Sequence, residues 1–289
     1  MIGTIIDIET TGWLQFQTNL KGESELSDDS EIIEVGFINI DMVTRKILTH
    51  GTLYFYKPYF NIESDAQKVH GLKRDFLRQY ENDFTKNLII LNSIIQCGCI
   101  IGKNSDKFDI PFIKAFIEKH AGDIFDIKSL VTRCAMKGYN GGTIMYNDTL
   151  YALDLQSIYK QRFHDLYEEK YGLKLGNNVI FEEKINKLKS VNPELVTDEN
   201  YERCKKLHEQ LCSEHRTEFV YLDPNKQALA KTKRGTLMQY VDVIPSGMEA
   251  LEFVYKGLNK QREGGAHTAL YDCAATFIVW CDATNQKLY

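Results

Sequence analysis

The chain has 289 residues, of which 43% are hydrophobic, 11% aromatic and 26% charged, a globular balance that excludes a disordered or collagen-like polymer. That length suits one large domain or one domain with a sizeable insertion. Lys and Arg total 35 and Asp and Glu total 40, and the net charge of −5 argues against a basic nucleic-acid coat protein.

Residues Ile2 to Glu9 are β-branched and predict a strand at the start of the chain. A loop with acidic residues follows from Gly12 to Ser30. Glu31 to Asp41 and Lys46 to Tyr56 predict two further strands over short turns, hence antiparallel neighbours. Ser64 to Tyr80 predicts a helical segment broken at Gly71, and Asn87 to Gln96 an apolar helix. Cys97 to Gly102 predicts a short buried strand. Apolar residues at 108, 112, 113 and 116 have the spacing of an amphipathic helix over Phe108 to His120. Tyr151 to Leu155 predicts a strand running into a helix. Strands first, then alternating helix and strand, imply an α/β fold with a mixed sheet and flanking helices.

Residues 163 to 235 differ. Acidic and basic residues balance there, β-branched runs are few, and Glu182–Lys189 and Asp198–Glu214 predict polar-faced helices. This stretch is expected to be an inserted, mainly helical lobe in a domain formed by 1–162 and 236–289. Leu237 to Val243, a helix over Met248 to Leu258 and a last helix over Ala266 to Asp282 complete that domain. The longest apolar stretch, Leu88 to Ile101, is short and polar-interrupted, so no membrane span is expected. Asp7 and Glu9 break the first apolar run, so no signal peptide is expected. Seven cysteines, an odd number without a C-x-x-C pair, suggest reduced, mostly buried thiols and a cytoplasmic protein, or one in a host cytoplasm if phage-encoded.

Three short segments carry candidate chemistry. In Asp7-Ile8-Glu9-Thr10-Thr11-Gly12-Trp13, strand alternation places both carboxylates on one face. Adjacent carboxylates repel unless a proton or cation separates them, although two solvated edge acids would read the same way. In Lys103-Asn104-Ser105-Asp106-Lys107-Phe108-Asp109, Asp109 stands at a strand-to-helix junction and suits either a helix cap or a ligand. In His267-Thr268-Ala269-Leu270-Tyr271-Asp272, a His and an Asp open the last helix after Gly264-Gly265.

Taken in order, D-x-E, the mid-chain Asp and H-x-A-x-x-D resemble the DnaQ-like, or DEDD-type, three-prime to five-prime exonucleases of the ribonuclease H-like superfamily. The histidine subtype fits, because the place a tyrosine subtype would fill is Thr268. Val69-His70-Gly71-Leu72 looks like the family's V-H-G-[IL] segment. K-N-S-D-K-F-D followed by I-P-F is similar to H-N-G-D-R-Y-D-F-P of the three-prime repair exonuclease branch. Lys103 departs from that branch's His, and Trp13 from its usual smaller apolar residue. The resemblance covers roughly residues 1 to 162 and 236 to 285.

The resemblance implies a two-metal exonuclease that releases nucleoside five-prime monophosphates. It implies Asp7, Glu9, Asp109 and Asp272 as ligands of two Mg²⁺ or Mn²⁺ ions and His267 as the catalytic base. The expected partner is nucleic acid, with DNA favoured over RNA. An RNA exonuclease with the same site and a non-catalytic binding relative are the alternatives. Substrate contacts are expected from Thr10, Thr11, Trp13, His70, Asn104 and Phe108. Trp13 and His70 suit packing equally well, and Phe108 suits the core better. Asp154 reads as structural. Lys226, Lys231, Lys233 and Arg234 form a basic cluster that suits either a solvated loop or a phosphate track.

Overall fold

Isoleucines at 2, 5, 6 and 8 make the first strand, β1 (Ile2–Thr10), stiff, extended and buried along most of its length. The computed structural model of the protein describes residues 1–12, 16–18, 24–26, 31–106, 108–121, 139–140, 142–146, 149–159, 185–186, 189–190, 193–203, 205–206, 247–258, 267–287 and 289. Strands β2 (Phe16–Thr18) and β3 (Ser24–Leu26) pair antiparallel inside the stretch expected to be loop. Strands β4 (Ile32–Asp41) and β5 (Lys46–Tyr54) follow as a meander.

Helices α1 (Ser64–His70) and α2 (Arg74–Arg78) flank the expected break at Gly71, which ends α1 in the left-handed region at φ 70°. Helix α3 (Phe84–Gln96) starts three residues earlier than its apolar run suggests. Strand β6 (Cys99–Gly102) leads into α4 (Asp109–Ala121). Strands β7 (Tyr139–Asn140), β8 (Thr143–Tyr146) and β9 (Thr149–Asp154) add a second antiparallel edge. Helices α5 (Gly247–Leu258) and α6 (Ala269–Asn285) close the chain.

The seven-stranded sheet has the order β5-β4-β1-β6-β9-β8-β7. Strand β1 is antiparallel to β4 and parallel to β6, and β6 is parallel to β9. The mixed α/β sheet with flanking helices is therefore as expected, and the five strands β5, β4, β1, β6 and β9 have ribonuclease H-like order and directions.

Alternation divides β1 between two faces. Ile6 and Ile8 face a core built with Leu88, Leu91, Phe112 and Phe116 of α3 and α4. Full burial of such a side chain stabilises by about 1.5–3 kcal/mol. Phe116 is fully buried and edge-on to Phe55 at 5.1 Å, so its truncation would open a cavity in that layer. The opposite face, with Ile5, Asp7 and Glu9, receives α6.

Two compact units divide the chain, Met1–Ile158 with Ser246–Tyr289, and Tyr159–Pro245. In the second unit Pro193–Leu195 forms a 3₁₀ turn, and 198–203 and 205–206 are helical. Most of the expected lobe, Leu237–Val243 and the basic cluster from Lys226 to Arg234 lie outside the described residues. Among the described cysteines all are free; Cys99 and Cys273 are buried as expected, whereas Cys97 is exposed because it follows the last turn of α3. Among the described residues no helix is long and apolar enough to cross a membrane.

Candidate metal centre

Three chain segments meet at the carboxyl end of β1. Asp7 and Glu9 project from one face of that strand, and Asp272 stands in the first turn of α6. Each offers a carboxylate oxygen, and the three oxygens lie within 4.8 Å of one another. Asp109, only 4% exposed at the start of α4, is the fourth acid. Backbone N–H groups of Ile8 and of Asp109 itself donate to its carboxylate, which fixes it beside β1.

The acids are held in a costly state. Burial and the neighbouring charges of Asp272, Asp109 and Glu9 push Asp7 well above the usual carboxylate range. Burial pushes Asp109 up to about 7, with Asp154 adding to the rise and the two backbone N–H groups opposing it. Burial likewise pushes Asp272 up to about 6, against the pull of His267 and Lys103 and with Glu34 adding to the rise. A divalent cation is the neutralising partner such a set suits: oxygen donors without thiolates fit Mg²⁺ or Mn²⁺.

Lys103 is partly buried at the end of β6, next to β1. Burial lowers its affinity for the proton, while Asp7, Asp272, Asp109 and Asp154 hold the proton on. Its ammonium is therefore part of the same charge cluster. The sequence marked Lys103 only as a departure from a branch pattern. Glu34 is the other residue the pattern did not single out. It is 1% exposed and stands directly across from Glu9 in the β1–β4 ladder.

His267 is exposed, with its backbone in the left-handed region at φ 68°. Its backbone N–H donates to the Asp272 carboxylate, and its imidazole favours that carboxylate's charged form. The strained turn therefore brings the ring and Asp272 together at the edge of the acid cluster.

The remaining candidates occupy a ring of tight turns. A register shift between Glu9 and Thr10 ends the regular ladder. Beyond it Thr10 Oγ1 donates to Gly12 O at 2.6 Å, and Thr11 exchanges two hydrogen bonds of 2.9 Å with the backbone of Glu31. Glu63 N donates to Thr11 O at 2.8 Å. Both hydroxyls are thus used to shape the turn. Glu31 is itself clamped by Lys119 at 2.6 Å and His120 at 2.7 Å. Gly12 lies under the Glu63 carboxylate, which would have to swing aside for a side chain there. Trp13 lies outside the described residues.

His70 is buried, and its Nδ1 accepts the Leu72 N–H at 3.0 Å. Asn104 is partly buried with φ 56°, a region Asn tolerates. Phe108 packs against the core, with its ring 5.7 Å from that of Phe112. The acids and His267 converge, whereas His70 and Phe108 are chiefly engaged with the protein interior.

No family profile matches the chain, and no curated protein matches it. Its trace is similar to that of solved exonuclease I structures. A zinc-bound Escherichia coli exonuclease I–ssDNA complex gives a TM-score of 0.46 at 14% identity, covering 99% of this chain and 41% of that one. Product-bound exonuclease I gives 0.41 at 12% identity, over 56% of this chain and 32% of that one. A moderately thermophilic exonuclease I from Methylocaldum szegediense gives 0.41 at 11% identity, over 56% and 29%. The chain thus spans less than half the length of these proteins, and the likeness is one of chain trace.

Proposed function

We propose that the protein is a metal-dependent exonuclease that hydrolyses DNA from its three-prime end. The supporting observation is the convergence of Asp7, Glu9 and Asp272 within 4.8 Å, beside Asp109 and His267, from segments far apart in the chain. In this reading residues 1–162 and 236–289 form the exonuclease domain, and 163–235 is a helical insertion. Asp7, Glu9, Asp109 and Asp272 would together hold two Mg²⁺ or Mn²⁺ ions. Ions held there supply Lewis acidity and a more acidic water.

The chain's own residues do the rest. His267, exposed at the rim, takes the proton from the attacking water. Water oxygen bonds to the terminal phosphorus as the bond to the neighbouring three-prime oxygen breaks. The released oxygen takes a proton from solvent, leaving a nucleoside five-prime monophosphate. Lys103 holds positive charge against the cluster and suits the phosphate. The turn of Thr10, Thr11 and Gly12 shapes one wall, with Trp13 and Asn104 proposed to border the terminal nucleotide and Phe108 supporting them from the core. The resemblance of K-N-S-D-K-F-D to the three-prime repair branch favours DNA.

Labelled single-stranded DNA, duplex DNA and RNA, digested side by side with Mg²⁺, Mn²⁺ or EDTA, test this. The expected result is metal-dependent release of five-prime monophosphates from single-stranded DNA. Faster RNA digestion would move the substrate to RNA with the same site. No cleavage of any strand under either metal would overturn the nuclease reading.

A further inference from the structure

Two acids of the proposed metal centre are carried by β1 and a third, Asp272, by a helix from the other end of the chain. Contacts from β4 hold that helix against the strand. Antiparallel register places Gly36 opposite Asp7 and Glu34 opposite Glu9. Directly opposed residues share a face, so all four lie on the side of the sheet that receives α6.

At Gly36 the first turn of α6 rests on bare backbone. A Cβ there would lie 2.3 Å from the carbonyl carbon of Ala269, 2.5 Å from Leu270 N and 2.6 Å from Ala269 O. All three are backbone atoms, so a side chain at 36 is accommodated only if the helix retreats. At Glu34 the same turn is held by a hydrogen bond. Glu34 Oε2 accepts the Ala269 N–H at 3.4 Å, in a buried setting. The helix needs this, because its N-cap residue Thr268 makes no side-chain capping bond. A carboxylate also suits the positive end of a helix dipole.

We propose that Glu34 and Gly36 are positioning residues of the acidic site. Gly36 sets how close α6 comes to the sheet, Glu34 pins its first turn, and together they fix Asp272 against Asp7 and Glu9. This rests on the reading of those carboxylates as metal ligands.

The test combines Glu34→Ala, Glu34→Gln and Gly36→Ala with three measurements: Mn²⁺ binding by calorimetry, amide exchange at Ala269 and Leu270, and thermal melting. Glu34→Ala should weaken Mn²⁺ binding roughly 10–100-fold, the usual cost of losing a group that orients a ligand. It should also speed exchange at the two amides. Glu34→Gln keeps an acceptor oxygen and should restore most of both. Gly36→Ala should weaken Mn²⁺ binding in the folded fraction. Should Gly36→Ala fail to fold, the Glu34 pair decides alone. A lower melting temperature with unchanged Mn²⁺ affinity would mean a merely structural role and overturn the proposal. Glu34→Gln behaving like Glu34→Ala would mean that the acceptor oxygen does not pin the turn, and would also overturn it. If the unaltered protein binds no Mn²⁺, the ligand reading fails. The exchange contrast between Glu34→Ala and Glu34→Gln then still decides whether Glu34 docks the helix.

Discussion

Asp154 Oδ1 accepts the backbone N–H of Asn104 at 2.6 Å, tying the end of β9 to the turn that leads from β6 into α4. The same carboxylate accepts from Gln156 N at 3.3 Å and Ser157 Oγ at 2.6 Å. It is a buried acid wholly occupied with backbone and turn. Asp154→Ala should cost about 1–3 kcal/mol, the penalty for leaving such donors unsatisfied, as read by urea unfolding. Asn104→Gly should be nearly neutral, since glycine adopts a φ of 56° freely. An unchanged urea midpoint for Asp154→Ala would show that the carboxylate does not hold the turn.

Asp7 and Asp272 make the opposite case. Each is raised by burial and by like charge nearby, so each costs the empty protein stability when ionised. Asp7→Asn and Asp272→Asn should therefore abolish cleavage while leaving the melting temperature at pH 8 unchanged or higher. Retained Mg²⁺-dependent turnover, or a large loss of thermal stability, would count against their role as ligands.

The raised acids also set a pH dependence. Asp109 titrates near 7 and Asp272 near 6 in the folded chain, against about 4 when unfolded. Between about pH 4 and pH 7 the folded state thus binds more protons than the unfolded state. Stability of the EDTA-treated protein should be full below that window and decline as pH rises through it. Asp109→Asn should flatten part of the decline, and Mg²⁺ should oppose it. Melting curves at intervals from pH 4.5 to 8 provide the check, and a rising profile in EDTA would contradict the assignment.

His267 calls for a particular choice of variant. Its φ of 68° makes Ala a strained replacement, whereas Asn accepts that backbone. His267→Asn should lower turnover roughly 10²–10⁴-fold, the usual contribution of a general base. Mn²⁺ affinity should persist, because the ring is not assigned as a ligand. Collapse of metal binding together with turnover would make His267 a ligand or a structural residue.

For Lys231, Lys233 and Arg234 the expectation concerns long strands. If they track phosphates, neutralising them should reduce the log–log salt slope by about 0.7 per lost contact. Cleavage of a dinucleotide should be unchanged. Equal losses on both substrates would return the cluster to a solvated loop.

The acid positions were legible because strand alternation and helix openings are local rules. Asp7 and Glu9 share a face by spacing alone, and Asp272 follows a recognisable helix start. Glu34 and Gly36 were not legible, because their roles arise from a register set across the β1–β4 ladder. No spacing between residues 9 and 34 predicts which partner each faces. Lys103 acquires its meaning only when β6 lies parallel beside β1. The β2–β3 pair is not legible in the sequence because three-residue strands show too little alternation to separate from an acidic loop.

Cys273 Sγ lies 3.9 Å from Ile5 O, a contact between residues 268 apart in sequence. At synthesis rates of roughly 5–20 residues per second, the first strand waits on the order of 15–50 s for the last helix. Throughout that interval Asp7 and Glu9 exist without Asp272. On the proposed function, the acidic site is completed only when the helix that carries Asp272 docks against β1.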